Sequence, residues 1–438
     1  MKLFVLLGLL GLMILVQDLG FVSQINLPAR SLMVFGFLIL TGTVAGSIVR
    51  RFRMPGITGY LLAGIICGPD LLHLVQTDIL ENLSFINETA LTFIALLAGA
   101  ELKLSMLRER IRGLSWVVLM QVVPGLLLVS GLFFPVLLYL PTLQHFATGQ
   151  IAAMSLLLGI IAIAVSPSTT VAVIVEARAG GPVKDTVLGV TMVLDVIVIL
   201  IFTVTVAMVG PLLVSDASAP HLLGLLLEMG VSLLGGLLAG VIGILILRYL
   251  SKHHTLLMLG LGLLIVDLAR DFHLDPLLVA ITGGFLIANF SRWGSVFQGT
   301  IEKASLPLFL VFFALAGAGL DFSRLAATWP LALLLVFIRI VTKFVTTRMG
   351  CGVSSMEPEV RKYAWMGFIG QAGVSLGFVL ILEKQFPEAG GFLKQIIVAA
   401  IIINQIIGPI MLQFAFDRSG ETGKALAADK DKTVDTDQ

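Results

Sequence analysis

Hydrophobic residues in this chain gather into long, nearly uninterrupted runs, not into the three- and four-residue spacing of a helix with one wet face. A hydrocarbon core of roughly 30 Å takes about 20 apolar residues per helix. Fourteen runs approach that length, near residues 3–17, 31–49, 56–76, 86–102, 114–140, 148–177, 186–209, 221–247, 255–269, 275–290, 299–320, 327–348, 362–383 and 394–416. The pattern predicts an all-α polytopic membrane protein of about 14 transmembrane helices, 13 plus the run at 3–17. That first run also has the shape of a signal peptide, but no small-residue cleavage site clearly follows it, and it is read as a retained span.

Two runs carry their own interruption. The sixth, IAIAVSPSTTVAVIV at residues 161–175, places Ser166, Pro167, Ser168, Thr169 and Thr170 near the middle of a membrane segment. Taken alone this is a proline kink. The chain also repeats itself, however: LAGAELKLSML at 97–107 matches LAGAGLDFSRL at 315–325 in seven of eleven positions, and ITGYLLAG at 57–64 resembles ITGGFLIAN at 281–289 if one residue is inserted. Both matches join runs seven apart. An odd offset makes the second copy enter from the opposite face, so an inverted-topology repeat is expected. The sixth run then pairs with the thirteenth, MGFIGQAGVSLGFVLIL, whose centre holds Gln371, Gly373 and Ser375. Irregular backbone at membrane depth is tolerated where it lines protein or a cavity. The expectation is two discontinuous helices, broken near Ser166–Thr170 and Ala372–Ser375, that cross mid-membrane and aim helix ends at one site.

Composition and charge sharpen the picture. Hydrophobic residues make up 58% of the chain and charged ones 13%, which excludes an ordinary soluble domain. If connections alternate sides, one side holds 21 of the 28 basic residues and the other five, Arg30, Arg270, Arg324, Lys384 and Lys394. By the positive-inside rule both termini are cytoplasmic, in the plasma (inner) membrane. Two cysteines give no disulfide framework, and residues 417–438, charged and without aromatics, are expected to be a disordered cytoplasmic tail.

Charges inside the runs are expensive, at about 2.5–3.5 kcal/mol at a helix centre, so each needs a partner or a task. Asp195 is the one acid near the midplane, in the seventh run, with Glu228 at an intermediate depth in the eighth. Arg339 lies deep in the twelfth and Lys343 one turn further on the same face. Arg339 suits a charge-compensating role towards Asp195; Lys343 either shares it or snorkels to the cytoplasmic end. The repeat sets Asp195 opposite Asn404 and Gln405. A carboxylate with hydroxyls and loose carbonyls suits a dehydrated alkali cation. The expected cation- and proton-binding set is Asp195, Ser166, Ser168, Thr169 and Thr170, with Asp195 as the metal ligand, Arg339 and Lys343 as compensating charges, and Gln371, Ser375, Asn404 and Gln405 as supporting polar groups.

RFRMPGITGYLLAGIICGPDLLHLV followed by LTFIALLAGAELKLSMLRER, with PLFLVFFALAGAGLDF later, resembles the Kef-type branch of the monovalent cation:proton antiporter superfamily, over about residues 31–416. The resemblance implies a mobile core with crossed broken helices, a scaffold that dimerises, and Asp195 as the residue at which cation and proton compete. It departs at Leu194, where sodium exchangers carry Asn or Asp and Kef proteins Gln. It departs again at Val190, where exchangers with an Arg like Arg339 often carry Glu, which leaves Asp195 as the acidic partner of Arg339. The organisation expected is scaffold at 1–112 and 221–325, core at 113–210 and 326–416, and the tail at 417–438. The function expected is exchange of sodium or potassium for protons by alternating access, electroneutral, in a homodimer in the lipid bilayer, with no cofactor and no nucleic-acid partner.

The alternative is a sodium-coupled symporter of an organic anion, which needs a second cation site and an anion pocket. A channel fits paired discontinuous helices less well. An enzyme is not expected: all six histidines lie in connections or at span ends, there is no HExxH, and Asp195 has no second deep aspartate to share a proton.

Overall fold

A computed structural model of the chain describes residues 2–18, 26–52, 54–213, 222–249, 254–272, 274–319, 322–371 and 373–424. Regular structure among them is helical throughout. In chain order the helices are α1 (Lys2–Asp18), α2 (Leu27–Val49), α3 (Gly56–Cys67), α4 (Thr77–Asn82), α5 (Ser84–Glu101), α6 (Leu104–Leu138), α7 (Thr148–Ile163), α8 (Pro167–Ala177), α9 (Pro182–Leu213), α10 (Leu222–Tyr249), α11 (His254–Asp271), α12 (Pro276–Phe290), α13 (Gly294–Ala318), α14 (Phe322–Val353), α15 (Pro358–Tyr363), α16 (Gly373–Gln385) and α17 (Pro387–Ser419), with short 3-10 turns at Arg50–Phe52, Pro141–Leu143 and Ala364–Phe368. Each of the fourteen apolar runs carries helix. Among the described residues seven stretches are long and apolar enough to cross a membrane, including Thr148–Ala177 and Pro387–Ser419, and α1, α3, α11, α12 and α13 hold shorter apolar stretches.

The chain separates into two compact units. Unit 1 takes the described residues of Met1–Leu104, Val171–Glu176 and Glu228–Asp321; unit 2 takes Ser105–Thr170, Ala177–Leu227 and those from Phe322 on. Unit 1 is held by backbones in direct contact. A side chain on Gly64 of α3 would run into the carbonyl of Ala314 and the amide of Ala318 on α13, and one on Gly317 of α13 into the carbonyl of Leu61 and the amide of Ile65 on α3. The pair α5 and α12 does the same: Gly99 lies on Ile281 and Phe285, and Gly284 on Leu96 and Ala100. Small residues let helix backbones approach where lipid removes any hydrophobic drive to associate. Gly64→Val should therefore lower the melting temperature in detergent by about 5 °C, from overpacking of a few kcal/mol. Gly36→Val, placed where nothing lies within 4 Å, should leave it unchanged. On the outer face of unit 1, Leu234 and Leu238 of α10 are exposed, a surface suited to acyl chains.

Unit 2 is built around α7, α9, α14, α16 and α17. The stretch Thr148–Ala177 is the most deeply buried of the long apolar spans. Outside the apolar part, Arg110 at the start of α6 donates two hydrogen bonds to Glu357 ahead of α15, at 3.0 and 2.6 Å, and these hold the Glu357 carboxyl below the usual carboxylate range. The segment expected to be disordered from residue 417 is ordered further: α17 runs to Ser419, and residues 420–424 fold back along the α8–α9 connection. The rest of the tail, 425–438, lies outside the described residues.

Candidate functional site

Prolines sit inside continuous helices at 124 and 135 in α6, 307 in α13, 330 in α14 and 409 in α17, among others. Proline alone therefore does not explain why the helix stops before Pro167. At that point the sequence is Ser-Pro, an N-cap followed by the one helical position that needs no N–H. Ser166 Oγ accepts from the Thr169 amide at 3.2 Å and lies 3.0 Å from Ser168 Oγ, so α8 starts afresh. The interruption is accordingly Ala164–Ser166, and Ser168, Thr169 and Thr170 belong to the first turn of α8, a correction to the expected break at Ser166–Thr170. The second interruption also comes earlier than expected. The 3-10 turn Ala364–Phe368 gives way to non-helical Ile369–Gln371, Ala372 lies outside the described residues, and Ser375 is already in α16. The two interruptions touch, the Ser166 amide donating to the Gly370 carbonyl at 3.0 Å.

Ending α7 in the interior leaves the carbonyls of residues 161–164 without the i+4 amides of a continuing helix, Ile161 keeping only the Ala164 amide at 3.3 Å. Each has a side-chain donor. Gln371 Nε2 donates to Ile161 at 2.8 Å, Arg339 Nε to Ala162 at 2.7 Å, Lys343 Nζ to Ile163 at 2.5 Å and Arg339 Nη2 to Ala164 at 2.7 Å. Arg339 also donates to Phe368 at 3.2 Å and to Ile369, at the end of the 3-10 turn. A guanidinium has five N–H groups in a fixed fork, and here one fork joins the carboxyl ends of both interrupted helices, where the backbone dipole favours a cation.

This corrects two expectations. The partners of Arg339 are four backbone carbonyls, and Asp195 is not among them. Lys343 does not snorkel: it is buried and bonded to Ile163 and, at 2.7 Å, to Gln121 Oε1 of α6. Sequence reasoning missed Gln121, although a buried amide in an apolar run was a signal.

Gln371 is the hub of the remaining polar groups. Its Nε2 also donates to Ser375 Oγ at 3.0 Å, and its Oε1 accepts from Asn404 Nδ2 at 3.0 Å. Asp195 is half-buried on α9, with Leu194 and Val190 fully buried beside it. Helix ends place it relative to α17. Glu421, just past α17, bonds to Val183 and Lys184 at the start of α9, so the helices run antiparallel. A side chain on Gly367 would meet both Val187 of α9 and Leu412 of α17. Two turns further along each helix bring Asp195 and Asn404 to the same depth.

Among the described residues, Thr169 Oγ1, Thr191 Oγ1, Asn404 Oδ1 and Gln405 Oε1 are buried oxygens in this region without a protein donor. Thr191, one turn before Asp195 and on the same helix face, was not singled out from the sequence; the four-residue spacing pointed to it. Among the described residues no group of three or more His, Cys, Asp or Glu could hold a metal ion. A cation beside Asp195 would take its other ligands from hydroxyls, amides and carbonyls.

Against known proteins, the sequence model of the transmembrane sodium/hydrogen exchanger family matches residues 5–418. A Na(+)/H(+) antiporter of Enterococcus hirae is 25% identical over 385 residues, covering 86% of this chain and 96% of that protein. The Na(+)/H(+)-K(+) antiporter GerN of Bacillus cereus is 24% identical over 412 residues, covering 90% and 97%. The solved structure of the sodium proton antiporter MjNhaP1 from Methanocaldococcus jannaschii at pH 8 superposes with a TM-score of 0.65 at 20% identity, over 92% of this chain and 99% of that one, which shows a shared fold. With a family match over nearly its whole length, this chain belongs to the transmembrane sodium/hydrogen exchanger family.

Proposed function

We propose that the protein is a secondary active transporter that exchanges sodium or potassium for protons by alternating access, with Asp195 as the group on which cation and proton take turns. One observation carries the reading: the Asp195 carboxylate on α9 lies at the depth of Asn404, beside two touching helix interruptions whose freed carbonyls already accept from Arg339, Lys343 and Gln371. Arg339 and Lys343 are thus occupied in holding backbone, so the charge that changes in a cycle is that of Asp195. Thr169, Thr191, Asn404 and Gln405 offer oxygens to a dehydrated ion. One carboxylate exchanging one cation for one proton makes the cycle electroneutral. The names of the Enterococcus hirae and Bacillus cereus relatives, one Na(+)/H(+) and one Na(+)/H(+)-K(+), agree with this reading.

The architecture we propose is a fourteen-span inverted repeat, with both termini in the cytoplasm of the plasma membrane, unit 2 as the moving core and unit 1 as the scaffold through which a homodimer forms. The reciprocal glycine contacts support the repeat. Leu96, Gly99 and Ala100 play the parts of Ala314, Gly317 and Ala318, and Leu61, Gly64 and Ile65 those of Ile281, Gly284 and Phe285. For α3 and α12 this register is one helical turn from the match of Ile57-Thr58-Gly59 with Ile281-Thr282-Gly283. In this reading the correspondence follows backbone contact, not letter identity.

Proton flux in proteoliposomes with sodium, potassium, lithium or no added cation, at clamped potential, tests the function. Cation-dependent flux insensitive to voltage is the expected result. Flux that requires an organic anion would replace antiport by sodium-coupled symport.

A further inference from the structure

Helix α9 is preceded by Ala179-Gly180-Gly181 and opens on Pro182-Val183, and no side chain in that stretch can cap it. Pro182 fits the first helical position, but the amides of Val183 and Lys184 are left to find acceptors, and no Ser, Thr, Asp or Asn precedes them. The acceptor comes from the other end of the chain. Glu421 Oε1 takes the Val183 amide at 2.7 Å and Oε2 the Lys184 amide at 2.8 Å.

The backbone around Glu421 is shaped for this. Gly420, in the left-handed region at φ 68°, ends α17, and the Glu421 amide closes back on Phe416 at 2.9 Å. The chain then runs along the α8–α9 connection, where Gly180 N donates to Glu421 O at 3.0 Å and Gly423 N to Ala177 O at 2.9 Å. Gly181 has φ 145°, and a side chain there would collide with the Glu421 carboxylate. Glu421 is 2% exposed. Burial raises its carboxyl above the ordinary value, the Val183 and Lys184 amides pull it back, Asp185 and Lys424 act on it in opposite directions, and the Arg110 guanidinium is also within electrostatic reach. A carboxylate buried with both oxygens on one helix start has the geometry of a fixed anchor.

We propose that Glu421 is a positioning residue for exchange: supplied by the C-terminal segment, it caps α9 and sets the placement of the helix that carries Asp195. The proposal rests on the antiport reading above. From Val183 to Asp195 is about 18 Å of helix, short enough that a loosened first turn lets α9 shift against α17 and moves Asp195 relative to Asn404.

The test uses full-length wild type, Glu421→Ala and Glu421→Gln in proteoliposomes, with sodium-dependent proton flux read against sodium concentration, and amide hydrogen exchange read over residues 183–187. In Glu421→Ala the Val183 and Lys184 amides should exchange roughly fivefold faster, the ratio a cap of ordinary strength supports. Half-saturating sodium should rise by about the same factor, with the saturating rate per folded protein little changed. Glu421→Gln, which keeps one carbonyl acceptor, should fall between. Loss of folded protein alone would lower the rate without moving half-saturation. Amides still protected in Glu421→Ala, or exposed amides with unchanged half-saturation, overturn the proposal and leave antiport standing. Wild type without cation-dependent flux removes both.

Discussion

Asp195→Asn is expected to bring cation-dependent proton flux down to the level of empty liposomes, while the protein still inserts and folds. Asn keeps the size of the side chain and one carbonyl acceptor but neither titrates nor balances a cation. Among the described residues, the cationic side chains buried in the same unit, Arg339 and Lys343, are each committed to carbonyls at helix ends, where they hold backbone. Substantial flux in this variant, measured beside wild type at several pH values, would move the site away from Asp195. Glu228 is the next acid by sequence depth, and its side chain lies outside the described residues. Wild-type flux that changes with clamped voltage would keep the site and end the one-for-one stoichiometry.

Arg339→Ala should cost most in stability. The guanidinium is the donor for Ala162, Ala164, Phe368 and Ile369 at once, and each buried acceptor left without a donor costs about 1–3 kcal/mol. Set against total stabilities of about 5–15 kcal/mol, that is a large fraction. A fall in melting temperature on the order of 10 °C, or failure to accumulate in the membrane, is the expected outcome. Arg339→Lys should recover part of it, since one ammonium offers three donors from a single point and cannot reach four carbonyls on two segments. A shift of the transport pH optimum with unaltered stability, the result that a direct Arg339–Asp195 pair would give, would contradict this structural role. Melting in detergent, followed alongside flux on the surviving protein, separates the two.

The break in the sixth apolar run shows how far local chemistry is legible. Ser166-Pro167 declares a helix start in one dimension, because a capping hydroxyl and a missing N–H act within a few residues. The place where α7 ends was not visible, because stopping there depends on donors from α14 and the second interruption, 175 to 210 positions away in the chain. The same limit explains Arg339. Its depth and the i, i+4 relation to Lys343 followed from helical spacing, but the choice between a carboxylate and bare carbonyls is decided by which atoms the fold brings within 3 Å.

By itself, then, the sequence determined what depends on composition and short range: helices throughout, apolar enough for lipid, an acid at Asp195 within an apolar run, two interrupted segments, and a repeated small-residue motif. Lipid enforces this legibility, since it admits few backbone solutions and makes every interior charge conspicuous. Tertiary structure alone decided the register of the glycine contacts, the four carbonyls held by Arg339, the role of Gln121 beneath Lys343, and the capping of α9 by Glu421. Each of these is a bond or contact between segments far apart in the chain, and their energies depend on ångström-scale approach that no one-dimensional pattern encodes.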